Sequence, residues 1–106
     1  MPNAERVYKI SVMPAAARKV ASHIEFLSRV SPAAAARLRH SLETDIADLR
    51  TNPDRFGRYE TAISTDKNLR KRLSGRRYWI VFDLGEEIIT VVDVQDCRQH
   101  PDNNLV

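Results

Sequence analysis

Residues Leu69 to Val94 read LRKRLSGRRYWIVFDLGEEIITVVDV. Leu69, Lys71 and Leu73 alternate with Arg70 and Arg72, which predicts a short strand dense in charge. Ser74-Gly75 reads as a turn. Tyr78, Ile80, Phe82 and Leu84 then fall on one face of a second strand, with Trp79, Val81 and Asp83 on the other, because successive strand side chains point to opposite sides. Gly85-Glu86 offers a tight hairpin turn. Ile88 to Val94 is nearly apolar on both sides, so the third strand is expected to lie centrally and to be covered.

Upstream, Val7 to Val12 also has period two: Tyr8, Ile10 and Val12 share one face, Lys9 and Ser11 the other. From Pro14 the period changes. Ala17, Val20, Ala21, Ile24, Leu27 and Val30 recur at three- and four-residue spacing, which predicts an amphipathic helix. Ser31-Pro32 is an N-cap followed by proline at the first helical position. Ala35, Leu38, Leu42, Ile46 and Leu49 continue one apolar face until Asn52-Pro53, where the residue before proline is pushed out of the helical region. So short a link makes the two helices an antiparallel hairpin. Asp54 to Asn68 has no period and reads as loop, with Phe56 or Tyr59 tucked against the helices. The order β-α-α-β-β-β predicts a single two-layer α+β domain over residues 1–106, its helical hairpin packed on a small, mainly antiparallel sheet.

Composition narrows the function classes. Among 106 residues, 42% are hydrophobic and 29% charged, a globular balance. No apolar run approaches the about 18 residues of a membrane span. The start of the sequence lacks a basic segment followed by an apolar one, so a cytoplasmic location is expected. The single cysteine, Cys97, forms no internal disulfide, and no Cys/His cluster has metal-ligand spacing. With three glycines in total no phosphate-cradling loop can be built, so neither a cofactor nor a metal is expected.

Charge is unevenly spread. Leu49 to Ile80 holds nine basic and three acidic residues, whereas Val81 to Val106 holds one basic and six acidic. Arg70, Lys71, Arg72, Arg76 and Arg77 are therefore expected to form a free rim for a polyanion or an acidic partner. The bland alternative is that they solubilise a sheet edge. Trp79, set opposite the core-facing Tyr78, is the candidate stacking platform for a base. His23 and His40 read as surface or interhelix residues. His100, close in sequence to Arg98, is different. Imidazole moves protons near neutral pH and guanidinium groups hold phosphodiesters, so Arg72, Arg76 or Arg77, Arg98 and His100 together would suit metal-free RNA cleavage. A solvated tail histidine beside a salt-bridged arginine is the bland alternative.

The element order, the Ser31-Pro32 link, the Asn52-Pro53 stop, the run from Leu73 to Asp83 and the ending Val92 to Asp102 together resemble the RelE/ParE superfamily, the toxins of type II toxin–antitoxin pairs, often labelled plasmid stabilisation proteins. The resemblance covers roughly Tyr8 to Asp102. It implies a growth-inhibiting toxin neutralised by a cognate antitoxin that wraps an extended, often helical segment around it. It also implies one of two targets. ParE-like members inhibit DNA gyrase and need no catalytic centre; RelE-like members cleave mRNA on the ribosome. Arg72, Arg98 and His100 match the ribonuclease pattern loosely, as catalytic residues only in that case. The C-terminal tyrosine of some ribonucleases is missing, since no tyrosine follows Tyr78, and Lys67 and Lys71 are the only lysines after Lys19. The ending Arg98 to Asp102 looks like a ParE tail. A non-toxic adaptor of the same fold, binding protein or nucleic acid, is a third reading.

Overall fold

The computed structural model describes residues 7–60 and 68–97. Strand β1 (Lys9–Val12) leads through Met13 into α1 (Pro14–Val30), and Ser31 separates it from α2 (Pro32–Ala47). Single 3-10 turns follow at Asp48–Arg50 and Pro53–Arg55, and then β2 (Leu69–Ser74), β3 (Tyr78–Leu84) and β4 (Ile88–Asp96). The four strands form one mixed sheet in the order β1-β4-β3-β2. The β2–β3 and β3–β4 pairs are antiparallel and β1 runs parallel to β4. The α+β architecture is the expected one, with β4 in the interior of the sheet.

The helical hairpin is set by its link. The Ser31 hydroxyl accepts from the Ala34 N–H at 3.1 Å, and Pro32 occupies the first helical position. At the far end Asn52 turns the chain in a left-handed conformation, φ 52°, before the buried Pro53. Leu38, Leu42 and Leu49 are buried as expected, while Ile46 is half-buried. Of the stripe expected on α1, Ile24 is buried and Val20 and Leu27 pack against the core. Ala16 and Ile24 are the buried positions of the helix, and His23 is half-buried. Ala17 and Ala21 are exposed, and Val30 is 74% exposed. His23 donates from Nε2 to the Val94 carbonyl at 3.2 Å, and its ring meets Tyr78 at 5.0 Å between centroids. A half-buried polar ring is accepted there because the sheet supplies a partner for its N–H.

Tyr78, Ile80 and Phe82 from β3 and Ile89, Val91 and Val94 from β4 complete the core against the helices. The spacing on β4 slips by one residue because of a bulge. Val81 pairs with Asp93 but Phe82 pairs with Val91, which leaves Val92 unopposed. Both turns sit one residue later than the sequence suggests. β2 includes Ser74, and the reversal is made by Gly75 and Arg76, both left-handed at φ 61° and 65°. Arg77 N–H closes this turn on the Ser74 carbonyl at 3.3 Å, giving the primed geometry that suits the twist of a hairpin. In the next hairpin Gly85 N–H bonds the Ile88 carbonyl at 3.1 Å, so Glu86 and Glu87 form the tip.

Two substitutions test these turns. Arg76 carries a side chain in a region that asparagine tolerates better, so Arg76→Asn should raise stability by roughly 0.5 kcal/mol in urea unfolding. A Cβ at Gly85 would stand 2.7 Å from the Ile88 carbonyl oxygen. Gly85→Ala should therefore shift the backbone and cost on the order of 1–2 kcal/mol.

Candidate partner-binding surface

Strand alternation sends Arg70, Arg72 and Ser74 to the helix side of β2, and Lys71 and Leu73 to the outer side. Arg72 is the most engaged of the expected rim residues. Its Nη1 donates to Asp48 Oδ2 at 2.9 Å and to the Asp45 carbonyl at 3.3 Å, and its Nη2 lies 3.5 Å from Asp45 Oδ1. The guanidinium stacks on Phe56, 4.6 Å from the ring centroid, and the side chain is only 15% exposed. Phe56 in turn meets Phe82 edge-on at 6.2 Å. Ser74, fully buried, donates to Asp45 Oδ2 at 2.6 Å and lies 3.0 Å from the Ser41 hydroxyl. Arg55 pairs with Asp48 and lies over the other partner of this cluster, Phe56.

The outer edge of β2 is not free either. Lys71 N–H bonds the Gly57 carbonyl at 3.0 Å, and Tyr59 N–H bonds the Leu69 carbonyl at 2.9 Å. Arg58 thus pairs with Arg70 as an isolated antiparallel bridge. Arg70 curls back to the Phe56 and Asp54 carbonyls at 2.6 and 3.3 Å. The expectation of an entirely free basic rim is therefore corrected. Arg70 and Arg72 neutralise acidic and carbonyl oxygens of this same chain, and the Gly57–Tyr59 backbone covers the edge beside them.

On the outer face, Lys71 Nζ sits 4.2 Å from the centre of the Trp79 ring and 5.8 Å from that of Tyr59. Tyr59 therefore lies on the sheet side opposite Phe56, and its hydroxyl accepts from Gln95 Nε2 at 3.0 Å. Trp79 is half-buried beneath an ammonium group, so a base could stack there only by displacing Lys71. Of the expected binding residues, Arg76 and Arg77 at the β2–β3 turn make no ion pair among the described residues. Arg98 and His100 lie outside the described residues. Cys97 is half-buried, and burial and then Asp96 push its thiol up, against a nucleophilic role. No metal-binding group of His, Cys, Asp and Glu exists among the described residues, and no helix there is long and apolar enough to cross a membrane.

Sequence reasoning missed Asp45, Asp48 and Ser41. One signal was present. Leu38, Leu42, Asp45 and Leu49 have heptad spacing, so Asp45 interrupts an otherwise apolar stripe and demands a cation from the facing layer.

The fold is a helical hairpin over a four-stranded mixed sheet, and Arg76 and Arg77 at its β2–β3 turn make no ion pair among the described residues. The family model described as the ParE toxin of type II toxin–antitoxin system, parDE, matches residues 10–101. The chain belongs to this ParE toxin family, and an antitoxin partner is implied by that membership. Among solved structures, a chain of the chromosomal ParDE toxin–antitoxin system from P. aeruginosa has the same fold. Its TM-score is 0.68 at 13% identity, with 87% of this chain and 98% of that one covered. Comparison with curated protein sequences returned no match.

The Arg72 cluster predicts a measurable loss. Arg72→Ala leaves Asp45 without its cation and Asp48 with Arg55 alone, and should cost about 2–3 kcal/mol in urea unfolding. That is below the cost of breaking a fully buried pair, because Asp48 is 44% exposed. Arg72→Lys should recover only part of it, since an ammonium cannot stack and bond both carboxylates in one plane. A second prediction concerns Asp93. Burial pushes its carboxyl up, but this is outweighed by hydrogen bonds from Lys19 and Gln95, the Lys19 charge and the Val94 N–H, so it titrates below its ordinary 3.8. A depressed folded-state value stabilises above the unfolded value and is lost as pH falls through the folded one. Asp93→Asn should therefore lower stability at neutral pH by up to about 1 kcal/mol. The difference should close as acid unfolding is followed below about pH 3.8.

Proposed function

We propose that this chain is the growth-inhibiting member of a toxin–antitoxin pair, that it works in the cytoplasm, and that it acts by blocking DNA gyrase. Family membership supports the toxin reading. The observation that carries gyrase over mRNA cleavage is the state of Arg72. A metal-free ribonuclease needs guanidinium groups free to meet the phosphate and its extra transition-state charge. Arg72 is instead paired with Asp45 and Asp48 and stacked on Phe56. Turning it toward a phosphate would strand the half-buried carboxylate of Asp45 and leave Asp48 to Arg55 alone. Lys71, clamped on Trp79, is similarly occupied. Inhibition by binding asks only for a surface, and the cations of the β2–β3 turn and of α2 supply one.

Two measurements separate the targets. Purified chain should inhibit supercoiling by purified gyrase, while transcripts on translating ribosomes stay intact. Cleaved transcripts with unaffected supercoiling would overturn the gyrase assignment. Induced expression should arrest growth, and coexpression of the small protein encoded beside the gene should restore it. Good soluble expression without arrest would remove the toxin reading and leave a binding adaptor.

A further inference from the structure

Ala17 and Ala21 fall at apolar spacing on α1 and yet are exposed. They belong to a groove of about 610 Å³ whose lining comes wholly from α1 and α2. Buried Ile24 and Ala35 and half-buried Val20 form its floor, and exposed Ala17, Ala21 and Ala36 its walls. Alanine walls let a further helix approach closely, because no long side chain stands in the way. Two charged residues line the groove, one on each helix: Glu25 from α1 and Arg39 from α2. Glu25 lies six residues before Ser31 and Arg39 eight after it. On two antiparallel helices their heights therefore differ by only about 3 Å, at 1.5 Å of rise per residue. No ion pair joins them across the groove. Glu25 meets Arg29 of its own helix at 3.5 Å, between side chains that are 70% and 72% exposed, a contact of little strength. Arg39 makes no ion pair among the described residues.

We propose that this groove is the contact between two copies of the chain. A two-fold axis running along the groove lays α1 of one copy on α2 of the other. One apolar lining then meets another, and each Glu25 meets the partner's Arg39. A two-fold interface has to be complementary to itself. One acid and one base, on opposite walls at nearly one height, meet that condition. Other occupants match the charges less well. A nucleic acid or an acidic segment gains from Arg39 and is repelled by Glu25, and a basic segment meets the reverse. The apolar lining supplies most of the affinity, and the exposed charge pairs select the geometry. The product is an antiparallel four-helix bundle, in which the alanines exposed on the single chain are covered. The sheet and the β2–β3 turn contribute no residue to the groove, so the contact is separate from Arg76 and Arg77. It does not rest on the gyrase reading.

Sedimentation equilibrium of the purified full chain across the micromolar range is the test. A reversible equilibrium between monomer and dimer is expected. Ala21→Arg, at an exposed position, should remove the dimer and leave the urea midpoint of the monomer unchanged. Glu25→Arg or Arg39→Glu alone should weaken association about tenfold, a loss of about 1.4 kcal/mol, because each sets two like-charged pairs in the interface. Glu25→Arg combined with Arg39→Glu should recover the original association, since the same axis then pairs the exchanged charges. The double variant keeps the net charge of the chain, so recovery reads the pairing and not bulk repulsion. A chain that stays monomeric throughout hands the groove to a different partner and overturns the proposal. A dimer that survives Ala21→Arg, single reversals that cost nothing, or a loss that the double reversal does not recover would each overturn it as well.

Discussion

Arg72 reaches from the outermost strand of the meander across to two carboxylates of α2, and this contact fixes how the layers meet. Apolar burial brings the helical hairpin and the sheet together but is non-directional and leaves their relative position soft. The polar cluster supplies the missing specification. Arg72 and Ser74 lie two apart on β2 and so share a face, while Ser41, Asp45 and Asp48 follow one another at helical spacing. Only one alignment lets all of them bond at once. Such a cluster adds little net stability over a well-packed apolar substitute, yet it is costly to break.

The same cluster divides the arginines of the middle region into two populations. Arg55, Arg70 and Arg72 answer carboxylates and carbonyls of this chain. Arg50, Arg58, Arg76 and Arg77 make no ion pair among the described residues. A net positive segment is therefore a poor measure of the charge offered to a partner. Much of it is spent inside the molecule, and what is left is spread between the β2–β3 turn and the exposed Arg50 and Arg58.

The fold was largely legible in the sequence because its signals are periodic. The three strands of the meander, the change of period at Pro14, the Ser31 cap and the Pro53 stop all follow from local rules, and packing obeyed them. The misplacements also have local causes. Alanine is apolar enough to count toward a helical stripe and small enough to be left outside it, so Ala17 and Ala21 stay exposed beside the inward Val20, Ile24 and Leu27. The bulge at Val92 breaks the phase of β4, which an almost wholly apolar strand cannot reveal. The binding surface was less legible. An arginine reads the same whether it meets an aspartate of its own chain or faces water, and the deciding partners, Asp45 and Asp48, lie on an element far away in sequence.

The sheet order has a consequence for biogenesis. β1, the first of the described strands, finds its neighbour in β4, the last of them, through the pairs Lys9 with Ile88 to Val12 with Val91. The helical hairpin and the β2–β3 hairpin close through local contacts, which form quickly, but the joint between β1 and the rest waits until β4 has been made. Translation that halts before Ile88 yields a fragment without the strand that bridges the two halves. Manufacture of the finished molecule is therefore all-or-none, and aborted products carry its arginines without the scaffold that aims them.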